Sequence, residues 1–131
     1  MTPGLDAALA LVLRDLAVTG VPQPRIEATS WQDAVPAESA WLIDADGSGT
    51  GVWWDPSAPD AEALSHLADQ VQDWAVEELA HHGLPTNWPV CPAHPANHPR
   101  HAVVRDGVAA WACPQGAADT TTPIGQLTTS G

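Results

Sequence analysis

The sequence predicts an α+β domain. Its expected order is an N-terminal helix, a small antiparallel sheet, a long amphipathic helix, a cysteine- and histidine-rich β-hairpin and a flexible tail. Three observations lead to this fold class. Apolar residues recur at helical spacing twice, near the N-terminus and over residues 60–82. Short β-prone runs flank glycine-containing turns between and after those stretches. Residues 115–131 have no hydrophobic periodicity.

The length and charge of the chain limit its class. Its 131 residues suit a single domain, which we place at residues 1–114, with the tail at residues 115–131. Sixteen acidic residues against four arginines and no lysine give a formal net charge of −12. Binding to nucleic acid needs basic side chains that neutralise phosphates, so it is not expected. No stretch has the apolar length of a membrane span and no signal-type segment is visible, so we expect a cytoplasmic protein without membrane contact.

The first helix is expected over residues 4–18, because leucine and valine side chains recur there on one helical face. Thr2 is suited to cap its N-terminus, with Pro3 at the first helical position. Gly20 is suited to end the helix, since glycine adopts the left-handed conformation of a C-terminal cap without strain. A weakly alternating run at residues 25–29 then predicts a first short strand.

Two further strands are predicted at residues 39–44 and 50–54, joined by the loop D-A-D-G-S-G-T. The loop also matches part of the EF-hand calcium loop, since Asp44 and Asp46 fall on its first and third positions. The residues before it are strand-like rather than helical, and Asp55 stands at the twelfth position, where a bidentate glutamate is usual. Asp and Gly are favoured in turns for backbone reasons alone, so a hairpin turn is the expectation.

The clearest element is the helix predicted over residues 60–82. It has an almost entirely apolar stripe on one side and acids on the other. His81 and His82 precede Gly83 at its end, where C-terminal capping is favoured over a metal or proton-transfer site. The stripe comprises Leu64, Leu67, Val71, Trp74, Ala75, Glu78 and Leu79, and the water-facing acids are Glu62, Asp69, Asp73 and Glu77.

The only two cysteines and three of the six histidines lie in the segment 88–114. Cys91 and His94 form a C-P-x-H pattern, the tight spacing at which one turn presents two ligands to the same ion. His98 follows four residues later, and Cys113 comes just past a hairpin whose turn is the dipeptide D-G. We therefore expect a metal site made of Cys91, His94, His98 and Cys113, with zinc as the ion.

His101 competes with His98 for the third ligand position on spacing alone. Each of the four proposed ligands is followed by proline, whereas His101 is followed by Ala102. Proline restricts the residue before it, so such a ligand has less backbone freedom to lose on binding, which favours His98. The alternatives to a metal are an unliganded loop or a disulfide between Cys91 and Cys113, which needs an oxidising compartment. Two thiolates and two imidazoles leave no place for water or substrate, so the predicted site is structural.

The pattern W-P-V-C-P-A-H-P-A-N-H-P, followed by W-A-C-P, resembles a set of small, largely uncharacterised proteins of actinobacteria and their phages. That set carries W-P-x-C-P-x-H-P-x-x-H-P, a gap, and then W-x-C-P. The segment also looks like a reduced zinc ribbon, in which a knuckle and a hairpin hold one ion. Arg100 stands where the set usually has an apolar residue, a departure that concerns the packing of its strand and not the ligands. The resemblance implies no activity.

Three classes of function follow from these features. The first, which we expect, is a non-enzymatic zinc-stabilised scaffold or assembly protein, of which a phage or prophage structural component located in the virion is a particular form. Its partner is expected to be a protein, either basic or another copy of the chain. The second class is an acidic inhibitor or immunity-type protein whose carboxylates imitate nucleic acid. The third is a metalloenzyme that uses a histidine outside the closed set and needs an open coordination position.

Overall fold

The computed structural model describes residues 4–28, 38–95, 98–116 and 120–128. Within these ranges the chain forms two helices and two three-stranded antiparallel sheets, so the predicted α+β class is confirmed. The elements in chain order are α1 (Leu5–Val18), β1 (Arg25–Ala28), β2 (Glu38–Ile43), β3 (Gly49–Trp54), α2 (Asp60–His81), β4 (His101–Arg105), β5 (Val108–Ala112) and β6 (Thr122–Pro123).

α1 lies where the leucine and valine periodicity predicts it. Its apolar face is buried, with Val12 and Leu16 fully shielded from solvent. The helix ends as expected, because Gly20 takes a positive φ of 80°. Gly4 is the N-cap residue, and the predicted cap at Thr2 and Pro3 lies outside the described residues.

The first sheet has the strand order β1-β2-β3. Leu42, Val52 and Trp54 of its inner face are buried, as expected for alternating strands with one face against the core. The backbone N–H of Ser48 donates to Asp44 Oδ1 at 3.0 Å and to Asp46 Oδ1 at 2.8 Å, which closes the turn between β2 and β3. The predicted hairpin between these two strands is therefore confirmed. Contact between the two carboxyls raises the pKa of Asp44 and lowers that of Asp46 to about 2.

α2 supplies the largest part of the core. Leu67, Val71 and Ala75 of its apolar stripe are fully buried, and α1, β3, β4 and β5 all contact this helix. The predicted water-facing acids are exposed. The buried face of α2 also includes a polar residue outside this stripe, since Gln72 is only 8% exposed.

The second sheet has the order β4-β5-β6 and carries the cysteine hairpin. Asp106 and Gly107 form the two-residue turn between β4 and β5, with φ values of 51° and 77°. Positive φ at both central residues matches the right-handed twist of the strands, which is why the D-G dipeptide predicted this turn.

The prediction of a flexible tail is wrong for residues 120–128. β6 pairs with β5, and Ile124 and Leu127 are buried at 5% and 0% exposure. Two isolated apolar residues show no periodicity in the sequence. In the structure, both side chains pack into the core formed by the other elements. The segment is also held by Asp15 of α1, whose carboxylate accepts hydrogen bonds from the backbone N–H groups of Gly125 at 2.7 Å and Leu127 at 3.0 Å.

Candidate metal centre

The four predicted ligands come together at one end of the second sheet. One donor atom from each of Cys91, His94, His98 and Cys113 lies within 4.8 Å of the other three. Three sulfur–nitrogen distances in the group are 3.6, 3.7 and 3.9 Å. Tetrahedral zinc with ordinary bond lengths requires sulfur and nitrogen ligands to be about 3.6 Å apart. The four donor atoms therefore lie close enough together to be compatible with a metal site.

Each histidine presents a different ring nitrogen. Nδ1 of His94 lies 3.7 Å from the Cys91 sulfur and 3.6 Å from the Cys113 sulfur. His98 instead directs Nε2 towards Cys113, while its Nδ1 lies 3.0 Å from the carbonyl oxygen of Pro99. Donation from Nδ1–H to that carbonyl leaves the lone pair on Nε2 free for a metal. Such an outer hydrogen bond is the usual way in which a ligating histidine is oriented.

Both sulfurs are buried and one receives a backbone hydrogen bond. Cys91 and Cys113 are 0% and 1% exposed and are free thiols in the structure. The N–H of Gln115 donates to the Cys113 sulfur at 3.3 Å, a contact that helps to fix the position of this side chain. The N–H of His94 donates to the Cys91 carbonyl at 3.0 Å and forms the tight turn of the C-P-x-H pattern.

His101 does not join the group. It is the first residue of β4, is exposed, and pairs across the hairpin with Ala112. In the described part of the chain, the donor cluster therefore contains the histidine preferred from the proline pattern and not its competitor.

Gln72 of α2 fixes the base of the ligand loop, the name that we give to residues 88–100. Its Nε2 donates to the carbonyl oxygens of Trp88 at 3.0 Å and Arg100 at 2.7 Å, one on each side of the loop. The N–H of Arg100 also donates to the Pro89 carbonyl at 2.7 Å, so the two ends of the loop are bound to each other. Sequence reasoning missed Gln72. Its only signal was a polar residue adjoining the apolar stripe of the long helix.

Two tryptophans connect this region to α1. Phe and Tyr are absent from the chain, so tryptophan supplies all of the aromatic bulk. The rings of Trp88 and Trp111 pack edge to face with centroids 5.3 Å apart. Their indole N–H groups donate to Thr19 Oγ1 at 2.8 Å and to Asp15 Oδ2 at 2.9 Å. Both of these indole donors therefore have a partner, and the contacts anchor the loop at Trp88 and β5 at Trp111.

Arg100 is buried, at 1% exposure, between the ligand loop and the C-terminal segment. Its guanidinium donates to the Thr120 carbonyl at 2.8 Å and to Thr122 Oγ1 at 3.0 Å. Burial lowers the pKa of Arg100, and the nearby Cys91 and Asp15 oppose that shift. Arg100 thus holds the segment that leads into β6.

No protein-family model matches the chain, and the comparisons with curated proteins and with solved structures found no match either. Neither of the two described helices combines the length and apolar character needed to cross a membrane. Function is therefore inferred from the donor cluster, its supporting contacts and the surface around them.

Proposed function

We propose that the protein is a non-enzymatic scaffold or assembly protein whose C-terminal hairpin is stabilised by one Zn²⁺ ion. The observation that supports this is the cluster of Cys91, His94, His98 and Cys113. Two thiolates and two imidazoles satisfy four-coordinate zinc completely, as in structural sites, whereas catalytic zinc keeps a position for water. Soft sulfur together with imidazole also favours zinc over the hard cations Mg²⁺ and Ca²⁺.

The ion would stabilise the loop at its open side. Gln72 and the backbone close the base of the loop, whereas Pro92, Ala93 and Pro95 further along it are exposed. Metal ligation would join this loop to Cys113 at the end of β5. Since the unfolded chain has no preformed site, the free energy of binding would appear as folding free energy.

A groove beside α1 is the surface that we propose for a partner. It has a volume of about 550 Å³ and lies between α1, the start of α2, the β4–β5 turn and β6. Leu11 and Val108 line it and are 41% and 47% exposed, and Asp60 adds a negative charge. With a net charge of −12 on the chain, the complementary occupant is a basic protein that inserts an apolar side chain. A phage or prophage structural protein is a particular form of this proposal, supported by the resemblance of the ligand pattern.

Metal analysis tests the first part of the proposal. Protein purified without chelators should contain close to one zinc per chain, and X-ray absorption should give two sulfur and two nitrogen neighbours at zinc distances. A coordination shell that includes an exchangeable water would contradict a purely structural site.

A matched pair of variants tests the second part. Leu11→Asp introduces a charge into the groove, whereas Leu84→Asp does so at an equally exposed position outside it. Quantitative cross-linking in the native cells should recover the same basic partner with the parent and with Leu84→Asp, and lose it with Leu11→Asp. A parent protein that sediments as a monomer and cross-links to nothing would argue against a scaffold.

One observation favours the second candidate function, an acidic protein that imitates nucleic acid. Asp69, Asp73 and Glu77 are exposed and follow one another at four-residue spacing, so they form a row along one face of α2. Partial burial and the negative charges of Asp69 and Glu77 raise the pKa of Asp73. Asp15 and Glu78 are buried and cannot contribute to such a surface.

Neutralising the row separates the two candidates. The triple change of Asp69, Asp73 and Glu77 to their amides should abolish partner binding if the protein imitates nucleic acid, and Leu11→Asp should then have no effect. The opposite pattern is expected for the scaffold, because its contact is proposed to lie in the groove.

A further inference from the structure

A second group of metal-ligand side chains lies where the β2–β3 turn meets the C-terminal end of α2. One donor atom each of Asp44, Glu78 and His81 lies within 4.8 Å of the other two. A pocket of about 280 Å³ opens at this point and is lined also by Asp46 and His82. None of these residues belongs to the elements that carry the cysteine and histidine centre.

Glu78 is the unusual member of the group, because its side chain is only 5% exposed. Its Oε1 accepts a hydrogen bond from His82 Nε2 at 2.9 Å. Its second oxygen has no hydrogen-bond donor among the described residues, and the side chain lines the pocket. A carboxylate that is 5% exposed and opens onto a pocket beside a second carboxylate and an imidazole is suited to bind a cation, which would balance its charge.

No basic side chain with a permanent charge is available to neutralise the group. The chain has no lysine, and its four arginines contact other residues. The C-terminal end of α2 adds the partial negative charge of its free carbonyl groups, which further favours a cation there. The arginine contacts are Arg14 with Asp15 and Leu127, Arg25 with Glu27, Arg100 with Thr120 and Thr122, and Arg105 with Thr121.

We propose that Asp44, Glu78 and His81 bind a divalent transition-metal ion, with His82 holding the Glu78 carboxylate in position. Two carboxylate oxygens and one imidazole nitrogen suit ions such as Mn²⁺ and Zn²⁺ that accept both donor types. The hydrogen bond from His82 is the outer contact that orients a ligating carboxylate. This site is independent of the proposed structural role, since three protein ligands leave positions open for water or for a donor from a partner.

The three proposed ligands differ in how their side chains are held. Ligand bonds of about 2.1 Å place neighbouring donors about 3.0–3.5 Å apart, which is inside the 4.8 Å within which the three donor atoms lie. His81 is exposed at the end of α2 and can change rotamer, whereas Glu78 is held in the helix. Asp44 is oriented by the turn, through the bond from Ser48 N–H to its Oδ1.

Metal titration of the zinc-loaded protein tests the proposal. Mn²⁺ is the first probe, because the thiolates of Cys91 and Cys113 disfavour this ion and keep it out of the other centre. Electron paramagnetic resonance should count one bound Mn²⁺ per chain, and Zn²⁺ in a parallel titration should bind as a second equivalent. His81→Ala should lower the affinity for both Mn²⁺ and Zn²⁺ by about tenfold or more. His66→Ala, on the same helix but outside the group, should bind both ions like the parent.

Two results would overturn the proposal. One is the absence of saturable binding of both ions by the parent up to millimolar concentration. The other is equal affinity in the parent and in His81→Ala. Glu78→Gln should also lose binding, but its side chain is buried, so the exposed His81 decides the outcome if that variant does not fold.

Discussion

Asp15 in α1 accepts a hydrogen bond from the indole nitrogen of Trp111 at 2.9 Å, although 96 positions separate the two residues. The carboxylate is fully buried and also accepts the N–H groups of Gly125 and Leu127. A buried charge that receives several hydrogen bonds is satisfied rather than strained. Through this one side chain, α1 holds both the strand that leads to Cys113 and the C-terminal segment.

Replacing Asp15 should therefore destabilise the whole domain. Asp15→Ala leaves three buried N–H donors without an acceptor, and the expected loss is about 3 kcal/mol or more. Urea unfolding should show a lower midpoint with the same slope. Asp6→Ala, at an exposed position on the same helix, should shift the midpoint far less. Equal midpoints for Asp15→Ala and the parent would contradict the role assigned to this carboxylate.

The two cysteines should be equally important. Cys91→Ser and Cys113→Ser each remove one thiolate from the same coordination shell, so both should lower zinc content and thermal stability to a similar extent. Strong chelation of the parent should produce the same state, seen as faster hydrogen exchange in the ligand loop and in β5. A melting curve of Cys113→Ser that matches the parent would show that this residue is not a ligand.

The two neighbouring histidines should differ. His98→Ala removes a donor that lies 3.9 Å from the Cys113 sulfur, so zinc affinity measured by competition with a chromophoric chelator should fall. His101→Ala is the matched control, because that residue is exposed and lies outside the cluster. Weaker binding by His101→Ala than by His98→Ala would mean that the wrong imidazole was chosen.

Asp73→Asn should stabilise the protein slightly at neutral pH. The folded-state pKa of Asp73 is raised by partial burial and by Asp69 and Glu77, so its ionised form costs stability. Removing like charges at four-residue spacing should gain about 0.3–0.5 kcal/mol. Since the raised pKa makes the folded state bind this proton more tightly, the difference between variant and parent should vanish as the pH falls through the carboxylate range.

A second amide variant, expected to lose stability rather than gain it, tests whether the gain in Asp73→Asn is electrostatic. Glu62 lies in the first turn of α2, where a negative charge interacts favourably with the helix dipole. Glu62→Gln should therefore lower the melting temperature slightly at neutral pH. If both amide variants shift stability in the same direction, local charge is not the cause.

Sequence periodicity was sufficient to place both long helices, and β-prone runs around glycine-containing turns placed the two principal hairpins. Each of these signals depends on neighbours a few positions apart. The grouping of Cys91, His94, His98 and Cys113 was also predictable, because a tight turn and a two-residue hairpin nearly determine where these donors lie. The bound zinc stays a prediction. Gln72 was missed, because nothing in its local sequence indicates that its amide would meet two carbonyls from a distant loop.

The sequence by itself determined which segments become helix or strand and which side chains are suited to a metal, because propensity, spacing and donor chemistry are local properties. Only the tertiary structure decided that Ile124 and Leu127 are buried and that Asp15 is fully shielded. It also brought Glu78 to the β2–β3 turn. These outcomes depend on contacts between residues far apart in the sequence. A small apolar side chain in such a segment is stabilising only when other elements supply the apolar surface against which it packs.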